Sequence, residues 1–157
     1  MFMIHGRKTV FAVLFISAVL FTSMAQNCFA MSDRLKVSVD HAYYYDLDGD
    51  GLEDDVLIDL ICEVPEGAAP PRKSEFYLAL GLPSGIEHRA TIMLVGKYSE
   101  LHMRILWYDS AWESGWYTIK VDVIAFGGSV FGCCTTSYEF DPPTGSGTGD
   151  PHIDVLL

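Results

Sequence analysis

The sequence predicts an all-β protein, an antiparallel β-sandwich, over most of its 157 residues. Three features favour this class: alternating apolar positions, turn residues between the alternating segments, and no helical period after the first thirty residues. Half of the residues are hydrophobic, which is enough to build a packed core. A small barrel made from the same strands is the alternative.

The first 25 residues have the order of a secretory signal peptide. Arg7 and Lys8 precede an apolar stretch of 12 residues, 10–21, whereas a membrane-spanning helix needs about 20. Small residues then provide a cleavage site after Ala25, or alternatively after Ala30. We therefore expect a signal-peptide helix, secretion or a cell-surface or periplasmic location, and no membrane contact beyond this segment.

Short alternating segments predict seven to nine strands in the rest of the chain. The clearest alternation is in residues 116–126, where every second residue from Tyr117 to Ala125 is apolar and the residues between them are mostly polar. Such a strand covers a core on one face and meets water on the other. The segments predicted as strands are 35–39, the residues just before 46, 56–64, 76–82, 90–95, 101–108, 116–126, 135–140 and 153–157.

The sandwich domain is expected to span residues 31–141. Glycine and proline dominate residues 142–151, a composition typical of a flexible linker. We therefore predict that residues 142–157 form a linker and a terminal segment that either adds an edge strand or frays.

The charge of the chain is strongly acidic. Without residues 1–25 it has 8 basic and 21 acidic residues, a net charge of −13. Cations that neutralise phosphate groups are therefore scarce, and neither nucleic acid nor an anionic membrane is an expected partner. Six acidic residues lie within residues 46–55, the acidic loop. These charges repel one another unless a cation is present, which indicates a metal.

The acidic loop has the spacing of a calcium site. Asp46, Asp48 and Asp50 occupy positions one, three and five of a tight turn, and a glycine at position six allows the left-handed backbone such a turn needs. The carbonyl of Leu52 at position seven and the carboxylate of Asp54 at position nine complete the predicted ligand set. Oxygen ligands in this number favour Ca²⁺ over Mg²⁺.

The pattern D-x-D-x-D-G-x-x-D in residues 46–54 resembles the calcium loops of FG-GAP and VCBS repeats, which lie between strands in integrin-like propellers and exported surface proteins. The resemblance implies calcium ligands at Asp46, Asp48, Asp50, Leu52 and Asp54. It covers about ten residues and occurs once, unlike the repeats of a propeller. An EF-hand is a poorer match, because Leu57 occupies position twelve and a strand follows. Residues 113–121 are similar to the penultimate strands of immunoglobulin-like exported modules, which implies an immunoglobulin-like sandwich.

The four cysteines allow disulfides if the protein is exported. They are Cys28, Cys62, Cys133 and Cys134. A bridge from Cys62 to one of the adjacent pair is our first expectation, and a bridge within the pair or buried free thiols are the alternatives. Their spacing lacks the paired C-x-x-C of a zinc site.

No catalytic constellation emerges from the sequence, so a non-enzymatic, structural or adhesive module is the main expectation. A carbohydrate-binding module is the first alternative, because Trp112 lies in the predicted loop 109–115 and would suit stacking on a sugar ring or on an extracellular protein. A small secreted hydrolase is the second alternative. It would need a pocket that gathers His88 or His102 with carboxylates.

Overall fold

Eight β-strands form the folded part of the chain in a computed structural model that describes residues 35–129, 132–140 and 150–157. No helix occurs among these residues, so none is long and apolar enough to cross a membrane. The predicted signal peptide and residues 142–149 of the predicted linker lie outside the described residues. The strands are β1 (Lys36–Tyr45), β2 (Asp55–Glu63), β3 (Lys73–Gly81), β4 (Glu87–Val95), β5 (Glu100–Tyr108), β6 (Tyr117–Phe126), β7 (Gly132–Phe140) and β8 (His152–Leu156).

The strands form two antiparallel sheets of four, ordered β1-β2-β5-β8 and β4-β3-β6-β7. The predicted sandwich is confirmed, and the alternative of a barrel is wrong, because the described strands divide into two separate sheets. In immunoglobulin-type sandwiches, strands A, B and E share one sheet, while C, C′, F and G share the other. Strands β1, β2 and β5 follow the first set, and β3, β4, β6 and β7 follow the second. Strand β8 adds a further edge beside β5.

Alternate residues of the central strands fill the space between the sheets. The inward side chains of β6 have no exposed surface, as their alternation predicted; they are Tyr117, Ile119, Val121, Val123 and Ala125. Complete burial of an aliphatic side chain stabilises the fold by about 1.5–3 kcal/mol. The core therefore lies between the inner faces of the sheets, and the loops at their ends can carry polar sites.

The first residue of β6 fixes the loop before it. The hydroxyl of Tyr117 donates a hydrogen bond to the carbonyl oxygen of Glu113 at 2.8 Å and accepts one from the Glu113 amide at 2.7 Å. Its ring contacts the ring of Phe140, with 5.7 Å between centroids. This arrangement is the tyrosine corner that immunoglobulin-type domains have at the start of strand F. It holds the β5–β6 loop, residues 109–116, against the end of the sandwich.

Strand β1 runs without a break into the acidic loop, so the two segments predicted near residues 35–45 are one strand. A bulge shifts its pairing with β2 and leaves Asp40 outside the register. Beyond the bulge, Tyr44 packs against the core, whereas Tyr43 and Tyr45 are exposed. The shift therefore decides which tyrosines face water next to the acidic loop.

Candidate metal centre

The acidic loop joins β1 to β2 at one end of the sandwich. Pairing of Tyr45 with Asp55 closes the hairpin at the base of the loop. Gly49 and Gly51 have φ angles of 81° and 90°, in the left-handed region that glycine adopts without strain. These two residues therefore let the chain fold back on itself within a few positions.

Three of the predicted ligands meet at one point in this loop. One carboxylate oxygen from each of Asp46, Asp48 and Asp50 lies within 4.8 Å of the other two. A calcium–oxygen bond is about 2.4 Å long, so oxygens at this separation can contact the same ion. We name these three residues the loop cluster. The structure thus brings together an aspartate-rich group that can hold a metal ion.

Backbone amides hold the carboxylates of the loop cluster in place. Asp46 accepts hydrogen bonds from the amides of Gly49 at 2.7 Å and Gly51 at 3.1 Å. Asp48 accepts one from the amide of Asp50 at 3.0 Å, and Asp50 accepts one from the amide of Leu52 at 2.8 Å. Each carboxylate oxygen has more than one lone pair, so these bonds orient the ligands without using up their capacity.

The remaining two predicted ligands differ from these three. Leu52 would contribute only its backbone carbonyl, and that role stays a prediction. The Asp54 side chain is only 2% exposed, and its Oδ2 has no hydrogen-bond partner among the described residues. Burial, followed by the charges of Asp55, Asp50 and Asp109, raises the pKa of Asp54 to about 6. Its carboxylate is therefore close to other acidic groups, and one of its two oxygens is buried without a hydrogen-bond partner among the described residues.

A second group of carboxylates lies next to the loop cluster. Asp48, Asp55 and Asp109 also place one oxygen each within 4.8 Å of the others. We name these three residues the inter-loop cluster, because Asp109 belongs to the β5–β6 loop. The sequence spacing did not single out Asp55 or Asp109 as ligands. Their approach depends on the pairing of β2 with β5, where Val56 faces Trp107.

Asp55 ties the acidic loop to the β5–β6 loop. Its side chain has no exposed surface. One oxygen accepts the amides of Leu47 at 2.6 Å and Asp48 at 3.2 Å, and the other accepts the amide of Asp109 at 2.8 Å. Hydrogen bonds to a charged acceptor are stronger than those between neutral groups. The two loops are therefore held together by the carboxylate of one buried residue.

The backbone of Asp54 adds to this connection. Its carbonyl oxygen accepts the amides of Ser110 at 2.8 Å and Ala111 at 2.7 Å. Asp109, just before them, has a φ angle of 49°, a left-handed conformation that is uncommon for residues other than glycine and is tolerated best by Asp and Asn. This turn brings the amide of Asp109 to Asp55 and its carboxylate to the inter-loop cluster.

The tryptophan proposed from the sequence for sugar stacking is partly buried. Trp112 packs against the core, and its ring lies edge-on to that of His88 with 5.2 Å between centroids. The exposed tryptophan is Trp116, with 62% of its surface accessible. It lines a hollow on the outer face of the second sheet. Trp116 is therefore the more accessible of these two tryptophans.

The hydrolase alternative requires a pocket that gathers His88 or His102 with carboxylates. His102 lines a groove with Asp40 and Asp59 on the outer face of the first sheet. His102 is paired with Glu100 at 2.7 Å, and the guanidinium of Arg104 donates to Asp59 at 2.9 Å. None of the described residues lining this groove carries a hydroxyl or thiol nucleophile. The hydrolase stays a prediction from the sequence.

The expected disulfide from Cys62 is not formed in the structure. Cys62 is a buried free thiol, and burial, followed by the nearby Cys134, raises its pKa to about 12. The thiol of Cys134 donates a hydrogen bond to the carbonyl oxygen of Leu35 at 2.7 Å. Cys28 and the side chain of Cys133 lie outside the described residues.

Comparison with known proteins identifies no relative of this chain. No protein-family model, no curated protein and no solved structure matches the chain. The structure therefore shows an aspartate-rich group that could hold a metal ion, and the resemblance to FG-GAP and VCBS loops stays an expectation from the loop pattern.

Proposed function

We propose that this chain is a calcium-binding β-sandwich module that is secreted or displayed at the cell surface and has a structural or adhesive role. The loop cluster carries the proposal, because three carboxylates within bonding distance of a common point suit a hard divalent cation. The carbonyl of Leu52, the carboxylate of Asp54 and water would complete the six to eight oxygens that calcium takes.

Calcium fits this ligand set better than other common metals. Every proposed protein ligand is an oxygen, whereas zinc prefers nitrogen and sulfur. Magnesium keeps several water ligands and demands a near-ideal octahedron, which suits a site with fewer carboxylates. The signal-like residues 1–25 support exposure of the module to extracellular calcium, which is about 1 mM and sufficient for modules with dissociation constants of roughly 10⁻⁴ to 10⁻³ M.

A structural role follows from where the ion would lie. The acidic loop is tied to the β5–β6 loop through Asp55 and the backbone of Asp54. Neutralising the loop cluster would lower the repulsion within this connection. With 1 mM calcium and a dissociation constant of about 0.1 mM, binding would stabilise the fold by about 1.4 kcal/mol. The ion would therefore stabilise one end of the sandwich, in addition to the stability that the buried core provides.

Isothermal titration calorimetry with CaCl₂ and MgCl₂ tests the proposal. The chain without residues 1–30 should bind calcium with a dissociation constant of roughly 10⁻³ M or lower, and magnesium at least ten-fold more weakly. Asp48→Asn should weaken calcium binding, whereas Asp122→Asn, an exposed aspartate on β6, should not. Equal calcium affinities for the two variants, or no heat of calcium binding for the unaltered chain, would contradict the proposal.

Carbohydrate binding is the second candidate function, and a groove on the outer face of the second sheet favours it. Two adjoining hollows share Ala79, Glu87 and Lys120, and Trp116 and Tyr77 line the opposite ends. Sugar rings stack on aromatic faces and need polar groups beside them. Ala79, which has a small side chain, lines both hollows.

Glycan arrays followed by titration test this candidate. Trp116→Ala should abolish binding of any glycan that the chain retains, because the ring is 62% exposed and its loss leaves the core intact. Tyr43→Ala removes an exposed ring from the other sheet and should leave binding unchanged. Equal loss in both variants would count against a site in this groove.

A further inference from the structure

Strand β4 is an outer strand of the second sheet, and its backbone is bonded on one side only. At the two ends of its pairing with β3, the amide of Gly96 donates to the carbonyl of Arg72, and the amide of Leu82 donates to the carbonyl of Ile86. Because the bonds of an antiparallel ladder alternate, the even-numbered residues of β4 bond to β3 and the odd-numbered ones point their N–H and C=O groups outward. No described residue bonds these outward groups. They belong to Glu87, Arg89, Thr91, Met93 and Val95.

Strand β4 lacks the features that usually keep an exposed edge from pairing with another chain. Its register with β3 is continuous over nine residues, so no bulge bends it, and it contains neither proline nor lysine. Among the other described edge strands, β1 has the bulge at Asp40 and lies against β7, and β8 has five residues that follow Pro151. A long and regular edge is a template for a further strand. We therefore regard β4 as the edge most suited to a partner strand.

The side chains of β4 also lack a complete neighbour. Ala90, Ile92 and Leu94 pack against the core but are only partly buried, whereas the inward residues of β3 and β6 have almost no exposed surface. On the outer face, Met93 is 62% exposed and Val95 is 77% exposed. A strand added beside β4 would cover apolar surface on both faces of the sheet, which favours association.

The charge of this edge favours a second copy of the chain as the partner. Without residues 1–25 the chain has a net charge of −13, so two copies repel each other over most of their surfaces. Strand β4 is different, because Glu87 and Arg89 form an ion pair at 2.6 Å and it has no other acidic or basic residue apart from His88. Two copies can therefore approach along β4 without bringing an excess of negative charge together.

We propose that two copies of this chain associate by antiparallel pairing of β4 with β4, about a two-fold axis at Thr91. In this register all nine residues overlap, and Glu87 and Arg89 each face an apolar residue of the partner. A centre at either charged residue would instead place like charges opposite each other, which destabilises a strand pair. On the inner side, Ala90 faces the partner's Ile92, so the apolar surface continues from one copy into the other. A two-fold contact is closed, and association therefore ends at the dimer.

The size of the contact predicts a weak dimer. Nine residues at about 3.4 Å each make an edge about 30 Å long, and two packed sheets with their side chains make it about 20 Å deep. The dimer would therefore bury about 1,200 Å² in total, which is near the lower limit for stable interfaces. We expect a dissociation constant in the micromolar range. The pairing needs no metal, so it is independent of the proposed calcium function.

Sedimentation velocity of the purified chain in EDTA, from micromolar to millimolar concentrations, tests this inference. The unaltered chain should show a monomer–dimer equilibrium. Thr91→Lys and Thr91→Glu should each weaken dimerisation about ten-fold or more, because like charges then meet at the axis. An equimolar mixture of the two variants should restore it, because opposite charges meet there. Thr91 is exposed, so both variants should keep the far-UV circular dichroism of the unaltered chain.

Thr135→Lys is the matched control, because Thr135 is an exposed threonine on β7, where it pairs with Asp122. It should dimerise like the unaltered chain. A chain that stays monomeric at every concentration, or that forms larger species, overturns the proposal. Dimerisation that ignores the Thr91 variants, or that Thr135→Lys weakens equally, places the contact elsewhere and also overturns it. If both Thr91 variants are weakened but their mixture is not restored, the two-fold register at Thr91 is wrong.

Discussion

Removing the carboxylate of Asp55 should destabilise the metal-free protein far more than removing any exposed carboxylate of the acidic loop. Asp55 is fully buried and accepts the amides of Leu47, Asp48 and Asp109. A hydrogen bond to a charged acceptor contributes about 1.5–3 kcal/mol. Water can replace part of this at the amides of Leu47 and Asp48. The loss of one negative charge also lowers the repulsion between the carboxylates, which offsets another part. We therefore expect Asp55→Ala to lower the free energy of unfolding by about 3–5 kcal/mol.

The measurement is urea unfolding in EDTA, so that loss of a metal ligand does not contribute. Asp50→Ala is the matched control, because Asp50 is exposed and accepts one local amide, and it should change stability by less than about 1 kcal/mol. Asp55→Asn should be intermediate, since its side chain keeps one acceptor oxygen, while its NH₂ group replaces the other oxygen and turns donors toward the backbone amides that this oxygen accepted. If Asp55→Ala is no more harmful than Asp50→Ala, the link between the two loops does not depend on this carboxylate.

Three further predictions address other parts of the fold. Tyr117→Phe removes both hydrogen bonds to the backbone of Glu113 and should lower the free energy of unfolding in urea by about 2 kcal/mol; an unchanged midpoint would deny the tyrosine corner a structural role. Because the pKa of Asp54 is raised to about 6 in the folded protein, the native state takes up a proton that the unfolded chain does not. Metal-free stability should therefore rise as the pH falls from about 7 to about 5, and this rise should disappear in Asp54→Asn. Cys62, with its pKa raised to about 12, should react with iodoacetamide at pH 8 about a thousand-fold more slowly in the folded chain than in urea, as followed by mass mapping of its peptide; similar rates would show that the thiol is accessible.

Much of the fold could be predicted because the burial of one face of a strand appears in the sequence as an alternation of apolar and polar residues. β6 is the clearest example, since all of its inward residues are apolar and fully buried. The start of β3 was placed three residues late, because the inward position at Ser74 is polar. Its hydroxyl is buried and hydrogen-bonded to the hydroxyl of Tyr98 at 2.8 Å, which satisfies it inside the core. Such long-range pairing leaves no local signal.

The terminal strand shows a similar limit. Residues 152–156 form β8 beside β5, so the edge-strand alternative holds and the sheet extends beyond residue 141. The alternation of Ile153 and Val155 is visible in the sequence. Whether a short segment after a glycine-rich stretch pairs or frays depends on an available edge, and only the pairing of β5 reveals one.

The candidate site also has a part that the sequence predicted and a part that it did not. Asp46, Asp48 and Asp50 converge because of their spacing within one turn, and local spacing is what a sequence displays. Asp109 approaches Asp48 and Asp55 through the pairing of β2 with β5, so its place in the inter-loop cluster depends on contacts between residues more than fifty positions apart. Trp112 was expected in an exposed loop, but contact with His88 and the core covers part of its ring.

Thermal melting in EDTA and in 1 mM CaCl₂, for the unaltered chain and Asp48→Asn, tests the central claim most directly. Asp48 belongs to the loop cluster, so its loss should remove the response to calcium. Calcium should raise the melting temperature of the unaltered chain by about 5 °C and that of Asp48→Asn by much less. A melting temperature that ignores both EDTA and calcium in the unaltered chain would contradict the account.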